Sequence, residues 1–244
     1  MPVHQRYKEF QADQRKFFDE LITEDWGTYC IPEWDFSRAE EIKQTFHHIK
    51  PQTILDIGCG DGFRDKIMAE YPFVKQVDAF DYSEQSILKA NQFYPHPKVN
   101  RFVADLADYK NPILYDMVIS FQVVEHLFEV EKYFDLCQRS CKPDGFSVIW
   151  TPNRHRIDNL VNAIQGKPML YLDIMHYKEY TFKELVKLST QYGFIPYRFM
   201  GHGFNPITLW GKTLLKFEYK TQFKLGEYIP YIASEIGIIL KKIK

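Results

Sequence analysis

Glycine recurs at every second position directly after a short apolar run, residues 53–57. The three glycines are Gly58, Gly60 and Gly62. Glycine lets the backbone turn tightly and come close to a ligand, so this segment is a candidate binding loop. A pyrophosphate-binding dinucleotide loop would have its third glycine where Phe63 stands, and the carboxylate of Asp61 would repel a pyrophosphate. Together with Asp56, Asp61 favours a ligand that is positively charged where it meets the loop.

From residue 53 onwards, short apolar runs alternate with helical patterns, and this alternation predicts the elements that position the loop. The predicted strands cover residues 53–57, 74–81, 100–104, 117–120, 146–150, 194–200 and 235–241. The predicted helices cover 63–70, 83–93 and 130–141, with one more after a Thr181 cap and a shorter connection near 106–112. Such alternation predicts an α/β fold, a Rossmann-like, mostly parallel sheet covered on both faces. No clean helix precedes the last strand, which is therefore expected to be antiparallel.

The remaining regions are interpreted as a helical lid on a single domain. An amphipathic helix is expected over residues 6–22, and a second helix is expected to begin at a Ser37 cap. Residues 154–180 and 203–233 each begin where a parallel strand ends, at the edge where α/β sheets bind ligands. The expected organisation is a cap of residues 1–50, a binding core of residues 51–153 and these two insertions. The aromatic side chains of the lid, which suit a ring or an isoprenoid, are Trp26, Trp34, Tyr171, Tyr177, Phe204 and Trp210.

Composition limits the classes of protein that this chain can belong to. Its 244 residues include 31 Lys or Arg and 32 Asp or Glu, and the formal charge of −1 disfavours a dedicated nucleic-acid binder. The N-terminal residues do not form a signal-peptide pattern, and no run reaches the roughly 18 apolar residues of a membrane-spanning helix. The cysteines, which form no metal-type pair, are Cys30, Cys59, Cys137 and Cys141. We therefore expect a cytoplasmic protein with reduced thiols.

The glycine loop and the acidic residues at the strand ends resemble the motifs of the class I S-adenosylmethionine-dependent methyltransferases. The resemblance covers roughly residues 50–200, with Asp144 in a turn where the family usually has glycine. It implies that the first motif lies against the methionine part of the cofactor, that Asp81 binds the ribose hydroxyls and that Asp105 accepts from the adenine amine. The implied cofactor-binding residues are Asp56, Gly58, Cys59, Gly60, Asp81, Tyr82, Asp105, Leu106 and Phe121.

Within this family, the residues after the fourth strand are informative. Gln122, Glu125 and His126 would share one face of a helical turn, and His176 precedes the next helix. This pattern resembles two metal-dependent branches, of which the ubiquinone-pathway small-molecule O-methyltransferases are the nearer. The other branch methylates the 2′-hydroxyl at small-RNA 3′ ends and has an acidic residue where Gln122 stands. A Gln carbonyl is a weaker metal ligand than a carboxylate.

The resemblance leaves two mechanisms open for the catalytic residues Glu125, His126 and His176. A divalent ion held by all three would bind an acceptor hydroxyl and lower its pKa. Without a metal, His126 would act as general base or simply pack, and Glu125 could cap a helix. At the rim, residues 154–156 include two arginines that could bind an acceptor phosphate or carboxylate, or form a solvated basic turn.

The sequence thus predicts methyl transfer from S-adenosylmethionine to a hydroxyl of a small acceptor, which could be a sugar, an aromatic or an isoprenoid. An RNA 2′-O-methyltransferase would need a basic groove, and Phe63 and Asp61 disfavour a nicotinamide-dependent oxidoreductase. A non-catalytic cofactor-binding protein would show a damaged first motif, which is intact here. No nucleic-acid partner is expected, while the seven lysines of residues 211–244 suit an acidic lipid surface or simply solubilise the lid.

Overall fold

The computed structural model describes residues 14–22, 32–110, 113–204, 207–209 and 212–243. The helices are α1 (residues 14–22), α2 (Pro32–His48), α3 (Phe63–Glu70), α4 (Glu84–Phe93), α5 (Val130–Ser140), α6 (Ile157–Ile164), α7 (Phe182–Gln191) and α8 (Tyr219–Tyr228), with 3₁₀ turns at Val124–His126 and Pro230–Ile232. The strands are β1 (Thr53–Ile57), β2 (Gln76–Asp81), β3 (Val99–Val103), β4 (Tyr115–Phe121), β5 (Cys141–Pro152), β6 (Phe194–His202), β7 (Ile207–Leu209), β8 (Lys212–Leu215) and β9 (Glu235–Lys242).

Seven strands form one sheet in the order β3-β2-β1-β4-β5-β9-β6. The pairs on the β3 to β5 side are all parallel, whereas β9 is antiparallel to both β5 and β6. The predicted mostly parallel sheet with an antiparallel last strand is therefore confirmed. Consecutive strands run outward on opposite sides of β1, so the carboxyl ends of β1 and β4 meet at a topological switch point, where α/β sheets bind ligands.

Helices cover the sheet on both faces, because each presents an apolar stripe that the buried strands require. One buried cluster includes Ile42 and Phe46 of α2 and Met68 of α3, packed against the sheet around Trp150. The other includes Phe134 of α5 with aromatic and aliphatic residues of α7. Buried Cys137 and Cys141 belong to this second cluster, which agrees with their interpretation as packing residues.

Several boundaries differ from the sequence-based expectation. The helix α2 begins at Pro32, so Ser37 lies inside it and is not the cap; proline suits a first helical turn because its φ is already helical and it needs no acceptor. Residues 154–180 contain α6, which was not predicted, and the described part of 203–233 contains an antiparallel β7–β8 ribbon in addition to α8. The turn residue Asp144 has φ of 60°, in the region where glycine is favoured.

Some predictions fall outside the described residues, namely the start of the N-terminal helix, Cys30, Trp26, Trp210 and residues 111–112. Among the helices that the structure describes, none combines the length and apolar character needed to cross a membrane.

Candidate active site

The glycine loop follows β1 at the switch point, and its three glycines all have positive φ, at 71°, 53° and 75°. They differ in what a Cβ atom would meet. At Gly58 it would lie 2.6 Å from a Val123 methyl, and at Gly62 it would lie 2.6 Å from the Ala90 Cβ. At Gly60 a Cβ would meet nothing within 4 Å. Packing therefore requires the outer two glycines, whereas Gly60 faces open space at the carboxyl edge.

Asp81 holds this loop from the end of β2. Its Oδ2 accepts from the Gly60 amide at 3.0 Å, and its Oδ1 accepts from the Ser83 amide at 2.9 Å. Burial raises the pKa of Asp81 to about 6, although both amide hydrogen bonds oppose that shift. The predicted ribose ligand thus has a structural role as well, because it fixes the backbone on which a cofactor would lie.

The other predicted cofactor residues lie along the same edge, beneath α1. The Arg15 guanidinium of α1 lies 5.1 Å from the Tyr82 ring centroid and 3.9 Å from an Asp105 oxygen. Asp105 also accepts from the Ala107 amide, and Leu106 packs against the core. Phe121 is buried at the end of β4.

The remaining members of the first motif are buried rather than open to the edge. Asp56 and Cys59 are at most 7% exposed. Asp61 forms an ion pair with Arg38 of α2 at 2.8 Å, so the guanidinium balances the charge of its carboxylate. Asp61 therefore has a cationic partner within the protein, and a positively charged ligand at this loop stays a prediction.

Three predicted catalytic residues converge after β4. One ligand atom each of Glu125, His126 and His176 lies within 4.8 Å of the others. Glu125 and His126 come from the 3₁₀ turn that follows β4, and His176 reaches them because the amides of Tyr177 and Lys178 donate to the Glu125 carbonyl. We call these three side chains the acid–imidazole cluster.

Each imidazole of the acid–imidazole cluster has one nitrogen engaged by the protein. Nδ1 of His126 lies 3.1 Å from the Met175 carbonyl oxygen, to which it donates, and Nδ1 of His176 lies 3.0 Å from an oxygen of Glu179. Because Nδ1 of His126 donates, Nε2 of its neutral ring carries the lone pair. Burial and the neighbouring His176 lower the pKa of His126 to about 4, so its ring is uncharged near neutral pH.

Glu125 is fully buried, and within the described residues only one of its two carboxyl oxygens accepts a hydrogen bond. Its Oε2 accepts from the Thr151 hydroxyl at 2.8 Å, while its Oε1 has no hydrogen-bond partner in the described residues. Burial raises the pKa of Glu125 to about 8, with Glu179 adding to the shift. A buried carboxyl oxygen without a partner costs free energy unless a proton or a cation binds there.

Gln122 does not join the acid–imidazole cluster, which corrects the expected common face with Glu125 and His126. Gln122 has φ of 57° and stands just before the 3₁₀ turn, so its side chain points away from the cluster. The Gln122 amide donates to Glu235 at the start of β9, at 3.0 Å. Burial raises the pKa of Glu235 to about 7.

The predicted basic rim is not free to bind an anion. Arg154 pairs with Glu184 at 2.8 Å, and Arg156 is 1% exposed and donates to Glu179. Buried Arg156 therefore fits neither interpretation of this segment, whereas Arg154 lies partly exposed in a turn. Glu179, which pairs with His176 at 3.0 Å, was not predicted from the sequence.

Three lid aromatics are partly exposed, and these are Trp34, Tyr171 and Tyr177. Phe204 is 4% exposed and belongs to the interior. Residue Gln14 of α1, which the sequence did not single out, donates to the carbonyls of His126 and Met175, both at 3.1 Å. The N-terminal helix therefore lies directly on the backbone that carries the acid–imidazole cluster.

A family model described as a methyltransferase domain matches residues 33–196 of the chain. A probable S-adenosylmethionine-dependent methyltransferase of Mycolicibacterium smegmatis is 28% identical over 161 residues, which are 65% of this chain and 58% of that protein. A ubiquinone biosynthesis O-methyltransferase of Rickettsia prowazekii is 31% identical over 133 residues, 54% of this chain and 52% of that protein. The chain thus spans little more than half the length of these relatives.

Among solved structures, the N-methyltransferase NodS of Bradyrhizobium japonicum WM9, in complex with S-adenosyl-L-homocysteine, is similar with a TM-score of 0.62. The match covers 94% of this chain and 98% of that one at 11% identity, which is evidence for the fold alone.

Proposed function

We propose that this chain, which belongs to the class I S-adenosylmethionine-dependent methyltransferases, transfers the methyl group to a hydroxyl oxygen of a small acceptor. The observation that carries the proposal is the convergence of Glu125, His126 and His176 at the turn after β4, where Val123 lies against Gly58 of the glycine loop. Similarity to ubiquinone biosynthesis O-methyltransferases supports oxygen as the acceptor atom. Around the cofactor, Asp81 would bind the ribose, Asp105 and Tyr82 the adenine, and Asp56 the methionine part.

The acid–imidazole cluster fits a divalent cation. One carboxylate and two imidazoles form a mixed set that suits Mn, Fe or Zn at least as well as Mg. The unpartnered Oε1 of Glu125 is the atom that a cation would satisfy, and the bonded Nδ1 atoms leave each Nε2 free to coordinate. A divalent ion bound there would lower the pKa of an acceptor hydroxyl.

The protein's own residues prepare the acceptor for in-line displacement at the sulfonium. The Met175 carbonyl fixes the tautomer of His126, and Glu179 does the same for His176. Gln14 of α1 holds the backbone that carries the cluster, through the carbonyls of His126 and Met175. With a pKa lowered to about 4, His126 alone is a weak general base at neutral pH, which favours the metal-assisted form of the reaction.

The test combines metal analysis with a labelled methyl donor. We expect the purified protein to contain a divalent metal, and Glu125→Gln, His126→Ala and His176→Ala to lose metal and activity together. Chelation should silence the wild type, and a divalent ion should restore it. Full activity in chelator would reject the metal, and a loss of about 10²–10⁴-fold confined to His126→Ala would assign it as general base.

The acceptor class is tested in the same assay. The enzyme receives labelled S-adenosylmethionine with catechols, sugars or prenylated phenols as acceptors. A short RNA is the acceptor that would contradict the proposal. Transfer to a small hydroxyl compound supports the proposal, whereas transfer to the RNA 2′-hydroxyl alone would contradict it.

A further inference from the structure

Large apolar side chains point outward along the connection between β5 and α7. Between residues 164 and 177, seven of the fourteen side chains are apolar or aromatic and exposed, with Ile164 at 82% and Ile174 at 91%. The other five are Met169, Leu170, Tyr171, Leu172 and Tyr177. Soluble monomers rarely expose so many apolar side chains in one segment, and such patches mark interaction surfaces. We call residues 164–177 the apolar segment.

Buried polar side chains hold the backbone of the apolar segment from the inside. Asn159 accepts from the Leu170 amide at 2.9 Å and donates to the Leu170 carbonyl at 3.0 Å. Arg156 donates to the same carbonyl, and Glu179 accepts from the Leu172 amide. Asn159, Arg156 and Glu179 are each at most 1% exposed. The segment therefore has one defined conformation, which directs its apolar side chains away from the core.

The turn between α8 and β9 adds exposed apolar side chains at the same edge of the sheet. These are Tyr228, Ile229 and Tyr231. Asn153, which precedes the apolar segment, donates to the Tyr231 carbonyl at 3.0 Å. The Tyr231 ring also lies 5.4 Å from the ring of Phe182, at the start of α7. The turn therefore lies next to both ends of the connection that carries the apolar segment.

The helix α8, which ends at that turn, has different inner and outer faces. Phe223 is buried, and a Cβ on Gly226 would clash with the Gly201 carbonyl of β6, so this side of the helix packs on the sheet. Lys220 and Lys224 lie one turn apart and are exposed. The outer face of α8 is therefore basic.

The charge of this part of the chain indicates which partner the surface fits. Residues 207–232 contain four lysines and two glutamates, an excess of two positive charges in a chain whose formal charge is −1. Residues 164–177 contain one lysine and one aspartate. Exposed lysine, tyrosine and aliphatic side chains together suit the boundary of an anionic bilayer, where ammonium groups meet lipid phosphates and aliphatic groups enter hydrocarbon. The excess positive charge disfavours a second copy of the same surface.

We propose that this face docks on an anionic lipid bilayer. The apolar segment and the turn after α8 enter the headgroup boundary, and the outer lysines of α8 contact lipid phosphates. The inference goes beyond the proposed function and does not depend on it. Docking places the acid–imidazole cluster beside the bilayer, because Glu179 accepts from the Leu172 amide and lies 3.0 Å from Nδ1 of His176.

Sedimentation with vesicles tests the proposal on the purified full chain. Vesicles of phosphatidylglycerol and phosphatidylcholine in equal parts are compared with vesicles of phosphatidylcholine alone. We expect the wild type to sediment with the anionic vesicles and to partition at least ~10-fold less onto the neutral ones, since each lysine near an anionic surface contributes about 1 kcal/mol. High salt should weaken the binding, because it screens the lysines.

Two double substitutions separate the apolar and the basic contributions. Ile164→Ser with Ile174→Ser should lower partition onto anionic vesicles by at least ~10-fold, because each removes an isoleucine from the hydrocarbon boundary. Lys220→Gln with Lys224→Gln should lower it by about 10–30-fold, because two ammonium groups no longer meet lipid phosphates. Circular dichroism checks that both variants keep the fold.

The matched controls remove the same side chains from the opposite edge of the sheet. Lys50 and Lys75 are exposed just before β1 and β2, and Ile243 is exposed just after the antiparallel β9. Lys50→Gln with Lys75→Gln, and Ile243→Ser, should both partition as the wild type does.

The outcomes are distinct from those for the proposed function. No binding to either kind of vesicle, equal binding to both, or an equal loss in the controls overturns the docking. A dimer in gel filtration that Ile174→Ser dissociates, without vesicle binding, assigns the surface to a second copy of the chain instead. Methyl transfer in the absence of vesicles tests the proposed function separately, so either inference can fail alone. If a variant does not fold, the lipid and salt dependence of the wild type still decides.

Discussion

The two halves of the candidate site are held in different ways. In the cofactor half, Gly60 is held by Asp81, which lies 21 residues away at the end of the adjacent strand β2. In the acceptor half, Gln14 reaches the carbonyls of His126 and Met175 across 112 and 161 residues. The first half is therefore held by neighbouring strands of one sheet, whereas the second depends on contacts between segments that are distant in the chain.

The largest expected effect is on the cofactor half, through Gly60→Arg. The new side chain would fill the open space above the loop, and φ of 53° would strain any residue with a Cβ. We expect affinity for S-adenosylhomocysteine to fall by at least ~10²-fold, about 2.7 kcal/mol, with the circular dichroism unchanged. Gly193→Arg is the matched control, because Gly193 also has positive φ and open space but lies before β6 at the opposite edge. Equal loss in both variants would show that strain, and not the binding space, is responsible.

The next effect concerns the acceptor half, through Glu179→Gln. Glu179 is fully buried, and hydrogen bonds from His176 and the Leu172 amide, with the charge of Arg156, hold its pKa below the usual range despite burial. Removing this charge leaves buried Arg156 with Asp158, at 3.3 Å, as its remaining ion-pair partner among the described residues, and should cost about 1.5–3 kcal/mol in the free energy of unfolding. Denaturant unfolding measures it.

Glu184→Gln provides the comparison for that substitution. Glu184 accepts from Arg154 at 2.8 Å in a partly exposed ion pair, and a Gln retains the capping interactions of α7. The substitution should lower the free energy of unfolding by no more than about 1 kcal/mol. A cost as small for Glu179→Gln would mean that the acceptor half does not depend on this buried pair.

A smaller effect is expected from Thr151→Val, which removes the hydrogen bond to Glu125. Leaving both carboxyl oxygens without a partner should lower stability by about 1–3 kcal/mol and weaken binding of a divalent ion, measured by calorimetry with Mn²⁺. Ser120→Ala removes a buried hydrogen bond to Tyr133 from β4 and should cost similar stability with no change in Mn²⁺ affinity. Parallel loss of Mn²⁺ affinity in both variants would contradict a specific role for Thr151.

The same difference explains which features the sequence could predict. The seven strands and the positive-φ loop follow from local patterns, since alternating apolar runs and glycine spacing report backbone conformation directly. The role of Asp81 was expected through a family resemblance. The convergence of Glu125, His126 and His176 was expected only through a family resemblance. Glu179 was missed, and the free basic rim was wrong, because neither the burial of Arg156 nor its partner 23 residues away has a local signature.

The smallest expected effect uses two adjacent residues of α1 that contact different halves. Gln14 is 7% exposed and donates to the backbone of the acceptor half, whereas Arg15 lies over Tyr82 and near Asp105 in the cofactor half. Gln14→Met should lose two hydrogen bonds, about 1 kcal/mol each, and speed hydrogen exchange at residues 124–127 and 175–178 without changing affinity for S-adenosylhomocysteine. Arg15→Met should leave that exchange unchanged and weaken the affinity only a few-fold, since an exposed cation–π contact contributes about 0.5–1 kcal/mol. Because one helix carries both contacts, equal effects of the two substitutions on both measurements would show that α1 acts as a single cover and that the two halves are not independently held.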